Sequence, residues 1–120
     1  MARRLLSYRE LDVWKLGMAS AKAVYALTAS FPSNESFGLT SQMRRAAVSI
    51  PSNIAEGKAR STTTEFRRSL QVARGSLAEL ETQLELSVEL GYANREKSRE
   101  LLALLQELGA KLSSLIGKLK

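Results

Sequence analysis

Apolar residues recur along this chain at alternating spacings of three and four, which keeps them on one face of a helix. In the first segment, about Tyr8 to Ser30, one such row is Leu11, Trp14, Met18, Ala21 and Tyr25. A second row, Val13, Ser20, Val24, Leu27 and Phe31, lies about 100° further round, so the predicted buried face of this helix is wide. The run from Phe31 to Gly38, with Pro32, Asn34 and Gly38, is a loop, because proline restricts the residue before it and these residue types favour turns.

A second helix is predicted from about Leu39 to Lys58, with Leu39, Met43, Ala46, Ala47, Ile50 and Ile54 facing inward. Pro51 interrupts its pattern, removing one backbone donor and crowding the preceding turn, so either a kink or two short helices are expected there. Ser49, Ser52 and Asn53 surround it and offer partners to freed backbone groups. The third helix opens at a Thr62-x-x-Glu65 capping box, follows the row Phe66, Leu70, Ala73, Leu77, Leu80 and Leu84, and ends near Gly91. Asn94 caps a fourth helix with the row Leu101, Leu105, Leu108, Leu112, Leu115 and Leu119, widened by Leu102, Leu104 and Ile116. Short links between antiparallel neighbours predict one all-α domain over residues 1–120, an up-down-up-down four-helix bundle with its second helix kinked near Pro51.

The composition agrees: 44% hydrophobic and 25% charged residues suit a single globular core, and only two prolines and seven glycines leave the chain rich in helix formers. The N-terminal Arg3-Arg4-Leu5-Leu6 is too short in apolar residues for a signal peptide, and no apolar run approaches a membrane span. A cytoplasmic protein without membrane contact is expected. With neither histidine nor cysteine, the chain has no Ser-His-Asp triad, thiolate nucleophile or zinc site of the usual ligands. Glutamate pairs such as Glu81/Glu85 read as solvated charges, and no phosphate-loop pattern surrounds Gly57 or Gly75. A non-enzyme requiring no cofactor or metal is expected.

Charge then points to a partner. Eighteen Lys and Arg against twelve Asp and Glu leave +6, a balance suited to a polyanion. In an up-down bundle the start of the first helix, the end of the second, the start of the third and the end of the fourth share one pole. That pole collects Arg3, Arg4, Arg9, Lys15, Lys58, Arg60, Arg67, Arg68, Lys118 and Lys120 against Glu10, Asp12, Glu56 and Glu65, ten minus four. The opposite pole holds six basic and seven acidic residues. Arg3, Arg4, Lys58, Arg60, Arg67 and Arg68 are therefore the candidate phosphate contacts, RNA or DNA the candidate ligand, and the few aromatics predict weak sequence preference. The late glutamates of the third helix oppose its dipole and are expected to meet Arg95 and Arg99 across the turn. Arg44 and Arg45 adjoin inward positions, and one of them is expected to pair with Glu79 or Glu81, or with a neighbouring subunit, in preference to binding a ligand. Trp14 is likewise a structural or subunit-contact candidate.

Three stretches carry a family resemblance: Glu10-Leu11-Asp12-Val13-Trp14-Lys15, the long run from Phe31-Pro32 through Gly38-Leu39-Thr40-Ser41-Gln42-Met43-Arg44-Arg45 to Ile54-Ala55-Glu56-Gly57, and Ala73-Arg74-Gly75-Ser76-Leu77-Ala78-Glu79-Leu80-Glu81. Together they resemble the four-helix-bundle proteins encoded in 23S ribosomal RNA intervening sequences. That group is similar to the accessory variability protein of diversity-generating retroelements. The resemblance implies a homopentamer of basic bundles that holds nucleic acid, with a reverse transcriptase as the candidate protein partner. The competing expectation is a protein-protein scaffold with no nucleic-acid ligand, packed through the wide apolar face of the first helix and the small residues Ala46, Ala47 and Ser49.

Overall fold

The structure, a computed structural model, describes residues 7–119. Four helices dominate it: α1 (Asp12–Thr28), α2 (Leu39–Ala59), α3 (Thr63–Glu89) and α4 (Arg95–Lys118), with short 3-10 turns at Tyr8–Glu10 and Ser33–Glu35. Each helix packs on the one before and after it in the order α1, α2, α3, α4 and back to α1, and among the described residues no diagonal pair of helices brings its backbones together. This closed circuit is the predicted up-down-up-down four-helix bundle, 54 Å long and 22–23 Å across.

The boundaries have local causes. Thr62 Oγ1 accepts the Glu65 N–H at 3.1 Å, whereas the Glu65 carboxylate turns to Arg60, so the predicted capping box is only half formed. Asn94 caps α4 by accepting the Lys97 N–H at 3.0 Å. Gly91 takes φ +78° after α3, and the Tyr92 and Gly91 N–H groups return to the carbonyls of Ser87 and Val88. That pair of bonds is a Schellman closure, in which a left-handed residue without Cβ is least costly.

The inward rows of α2 and α3 are buried as expected, and α4 contributes Leu101, Leu105, Leu108, Leu112 and Ile116. Leu115 and Leu119 are only partly covered, because Ile116 continues the inward row at the end of α4. Helix α1 differs more. Its core face is Val13, Gly17, Ser20, Val24 and Leu27, while Met18 is 40% and Tyr25 46% exposed. The expected width is therefore real on one side only: the Trp14–Met18–Tyr25 row looks outward beside α2.

Helix α2 runs unbroken through the buried Pro51, so the two-helix alternative does not occur. Ser49 Oγ donates to the Ala46 carbonyl at 3.0 Å and Asn53 Nδ2 to the Ser49 carbonyl at 2.7 Å. These side chains reinforce the turns around the proline rather than reaching the Ala47 carbonyl, the group that lacks a Pro51 donor. Among the described residues no helix is long and apolar enough to cross a membrane.

Candidate nucleic-acid interface

The predicted basic pole assembles where the end of α2, the start of α3 and the end of α4 meet. Lys58 and Arg60 come from the last turn of α2 and its cap, and Arg67 and Arg68 from the first turns of α3. Arg67 Nε donates to the Ile116 carbonyl at 3.4 Å, tying α3 to the last turn of α4. There it meets the negative end of the α4 dipole, a favourable position for a cation. Asp12 and Lys111, 3.8 Å apart, make the corresponding link from α1 to α4.

The four cations differ in what already engages them. Arg60 lies 3.9 Å from Glu56 and 3.5 Å from Glu65, so its charge is locally balanced by two exposed carboxylates. Lys58 Nζ stands 5.6 Å from the centre of the Phe66 ring, within cation-π range. Arg68 is exposed and makes no hydrogen bond or ion pair among the described residues. It lines a cleft of ≈ 550 Å³ together with Thr64, Arg67, Gln71 and Gly117. Two guanidinium groups and two neutral donor-bearing side chains thus face one open depression, a donor set suited to phosphate oxygens. Arg3, Arg4 and Lys120 lie outside the described residues.

At the opposite pole several expected pairings fail to form. Arg44 turns toward α1 instead of α3: Nε donates to Thr28 Oγ1 at 2.9 Å and Nη2 to the Tyr25 carbonyl at 3.3 Å. Glu79 accepts from Gln83 on its own helix at 3.3 Å. Glu81 lines a cleft between α3 and α4. The turn of α2 that carries Arg44 faces α1, which places both glutamates beyond its reach, and Arg45 is exposed and unpaired among the described residues. Glu85 and Glu89 share the α3/α4 cleft with Arg95 and Arg99 without a direct ion pair, so the expected meeting across the turn does not occur. Trp14 is partly covered, edge-on to Tyr8 at 5.5 Å.

Sequence reasoning missed the contact that joins the two loops of this pole. Glu35 accepts the Leu39 N–H on Oε1 at 3.0 Å, capping α2, and the Tyr92 hydroxyl on Oε2 at 3.0 Å. Phe31 and Tyr92 pack beside it with ring centres 5.7 Å apart. The hydrogen bond to Glu35, followed by burial and the carboxylate charge, holds the Tyr92 phenol above its ordinary value. A Glu four residues ahead of a helix start was the only local signal, and the 57-residue separation from Tyr92 gave none.

Fold and charge together define a small basic helical bundle with a polar cap of arginine and lysine and a separate exposed apolar face. Residues 9–114 match the family described as 23S rRNA-intervening sequence protein, and the chain belongs to that family. Its fold is similar to the crystal structure of a protein of unknown function from the S23 ribosomal protein family of Bacteroides thetaiotaomicron VPI-5482. The two share 24% identity with a TM-score of 0.79, over 88% of this chain and 96% of that one. No curated protein matches the chain.

Proposed function

We propose that the chain is a non-catalytic, self-associating bundle that binds RNA or DNA through its basic pole, as an accessory to a nucleic-acid enzyme such as a reverse transcriptase. The observation that carries this reading is the convergence of Arg67 and Arg68 on one open cleft, with Lys58 and Arg60 at the same end and no carboxylate paired with Arg68 among the described residues. An aligned assembly repeats that cap by symmetry and concentrates positive potential, which phosphates sense strongly at low salt. Contacts of this kind read the backbone and carry little sequence information.

Self-association is supported by the outward row of α1. Trp14, Met18 and Tyr25 line a groove of ≈ 560 Å³ with Val48, Pro51 and Ala55 of α2. The occupant that suits it is a second copy of the chain: Lys22 borders this groove, whereas the opposite side of the bundle presents Leu102 and Val88 in a cleft where Glu81, Glu85 and Glu89 outnumber Arg95 and Arg99 by one. A pentamer is the size that the family resemblance implies. The same groove favours the second reading, a scaffold that meets only proteins.

Labelled RNA and duplex DNA titrated at several salt concentrations separate the two. Binding that weakens steeply with salt, and is lost when Arg60, Arg67 and Arg68 are all changed to Gln, supports the nucleic-acid role. Unchanged affinity of that triple variant rejects the basic pole, and binding to neither polymer leaves the scaffold.

A further inference from the structure

Arg44 is fixed in place without a counter-charge. Its two hydrogen-bond acceptors, the Thr28 hydroxyl and the Tyr25 carbonyl, are neutral, and its guanidinium carbon lies 4.4 Å from the Tyr25 ring centre. Arg45 is exposed beside it, and neither arginine has a carboxylate at ion-pairing distance among the described residues. Glu35, on the preceding loop, caps Leu39 with one oxygen and accepts from Tyr92 with the other. Two adjacent cations, one with its plane already set, therefore stand together at the wall of a cleft.

That cleft, ≈ 570 Å³, is lined by Tyr25, Thr40, Ser41, Arg44 and Arg45 among others. Thr40 is 9% exposed and its hydroxyl has no hydrogen-bond partner among the described residues. The hydroxyl oxygen is not itself sealed from solvent, so it is free to donate into the cleft that Thr40 lines. Thr40 and Ser41 also belong to the first turn of α2, where the Glu35 carboxylate caps Leu39 and the next two N–H groups lack helical acceptors.

We propose that this cleft binds a terminal phosphate, a phosphate monoester recognised by Arg44 and Arg45 through charge and by Thr40 and Ser41 through their hydroxyls. A monoester carries about −1.5 to −2 charges near neutrality, which matches two guanidinium groups better than the single charge of a backbone diester. The source is either a free mononucleotide or the 5′ end of a strand. The site lies at the end of the bundle opposite Arg67 and Arg68 and is independent of the basic-pole reading.

Calorimetric titration with uridine 5′-monophosphate, and with one short RNA carrying either a 5′-phosphate or a 5′-hydroxyl, tests the site. Arg45→Gln and Thr40→Val are each expected to weaken mononucleotide binding by about tenfold, the loss of one hydrogen bond to a charged group. Arg74→Gln, at a residue whose guanidinium donates to Ser113 midway along the bundle, is expected to leave it unchanged. Tighter binding of the 5′-phosphorylated strand, abolished by Arg45→Gln, assigns the strand end as the source. Equal binding of the two strands beside Arg45-dependent mononucleotide binding assigns the free nucleotide. The proposal is overturned if the mononucleotide and the 5′-phosphate both have no effect, or if Arg45→Gln and Thr40→Val bind as the wild type does. A fall in sedimentation coefficient of Arg45→Gln with unchanged mononucleotide affinity also overturns it, assigning Arg45 to a subunit contact.

Discussion

Gly17 of α1 lies against Pro51 of α2: a Cβ at residue 17 would stand 3.3 Å from both Cβ and Cδ of the proline. The missing side chain lets α1 close over the one position of α2 that lacks a backbone donor. Gly57 serves the α2/α3 contact more tightly, since a Cβ there would collide with Ser69, lying 2.8 Å from its Oγ and 3.3 Å from Phe66 Cδ1. Overpacking of this kind costs about 1–3 kcal/mol, against a gain of about 1 kcal/mol from replacing glycine in a helix. Gly57→Ala is therefore expected to destabilise by up to about 2 kcal/mol and Gly17→Ala by less. Gly75 faces open space within α3, so Gly75→Ala is expected to stabilise by about 0.5–1 kcal/mol. Urea midpoints in the order Gly75→Ala, wild type, Gly17→Ala, Gly57→Ala check this reading, and a tie between the last two contradicts it.

Arg60 and Arg68 are expected to contribute unequally to polyanion binding. Arg60 already has Glu56 and Glu65 nearby, whereas Arg68 has no such neighbour at ion-pairing distance among the described residues. Arg68→Gln should lower the slope of log affinity against log salt by about 1, the loss of one phosphate contact, and Arg60→Gln by less. Fluorescence anisotropy of labelled RNA between about 50 and 200 mM salt measures both.

Met18 should matter for assembly and hardly at all for folding. It is exposed in the groove between α1 and α2 and contributes nothing to the core. Met18→Glu is expected to leave the helical circular dichroism and the urea midpoint within about 0.5 kcal/mol of wild type while shifting sedimentation toward smaller species. An unchanged sedimentation profile would remove this groove from the subunit contact.

The Tyr92–Glu35 bond gives the fold an alkaline limit. Its phenol has a raised pKa in the folded state, so the folded chain holds that proton more tightly than the unfolded chain. The stabilisation is complete below the ordinary tyrosine value of about 10 and is lost as pH rises through the folded value. Stability should therefore fall above about pH 10, with ionised Tyr92 facing the Glu35 carboxylate. In Tyr92→Phe that part of the slope should vanish; an identical alkaline slope in the variant would assign it to other groups.

Much of the bundle was legible because heptad-like rows such as Phe66–Leu84 and Leu101–Leu112 admit one burial pattern, and Thr62, Gly91 and Asn94 punctuate them. Helix α1 was ambiguous for a physical reason. Two adjacent rows were apolar, and Gly17 and Ser20, which line the true core side, carry little hydrophobic signal although they allow close approach. The grouping of cations at the pole followed from topology alone, since helix order decides which ends meet. Their engagement did not. Whether Arg60 meets Glu65, or Arg44 meets Thr28, depends on loop paths and rotamers that periodicity does not encode. Thr40 was invisible as a functional residue because an ordinary first-turn threonine has the same sequence signature, and only its place in one cleft with Arg44 and Arg45 sets it apart.

The antiparallel register of α2 and α3 carries a consequence of its own: Ser49 lies opposite Ser76, which sets Arg45 level with about Leu80, roughly 18 Å along the bundle from Arg68 at about 1.5 Å per residue. A duplex rises about 3.4 Å per step. Laid along the molecule it spans both positions with on the order of 5 base pairs, so shorter fragments report on one site at a time. Fragment length therefore decides whether the protein acts as a single contact or as a ruler.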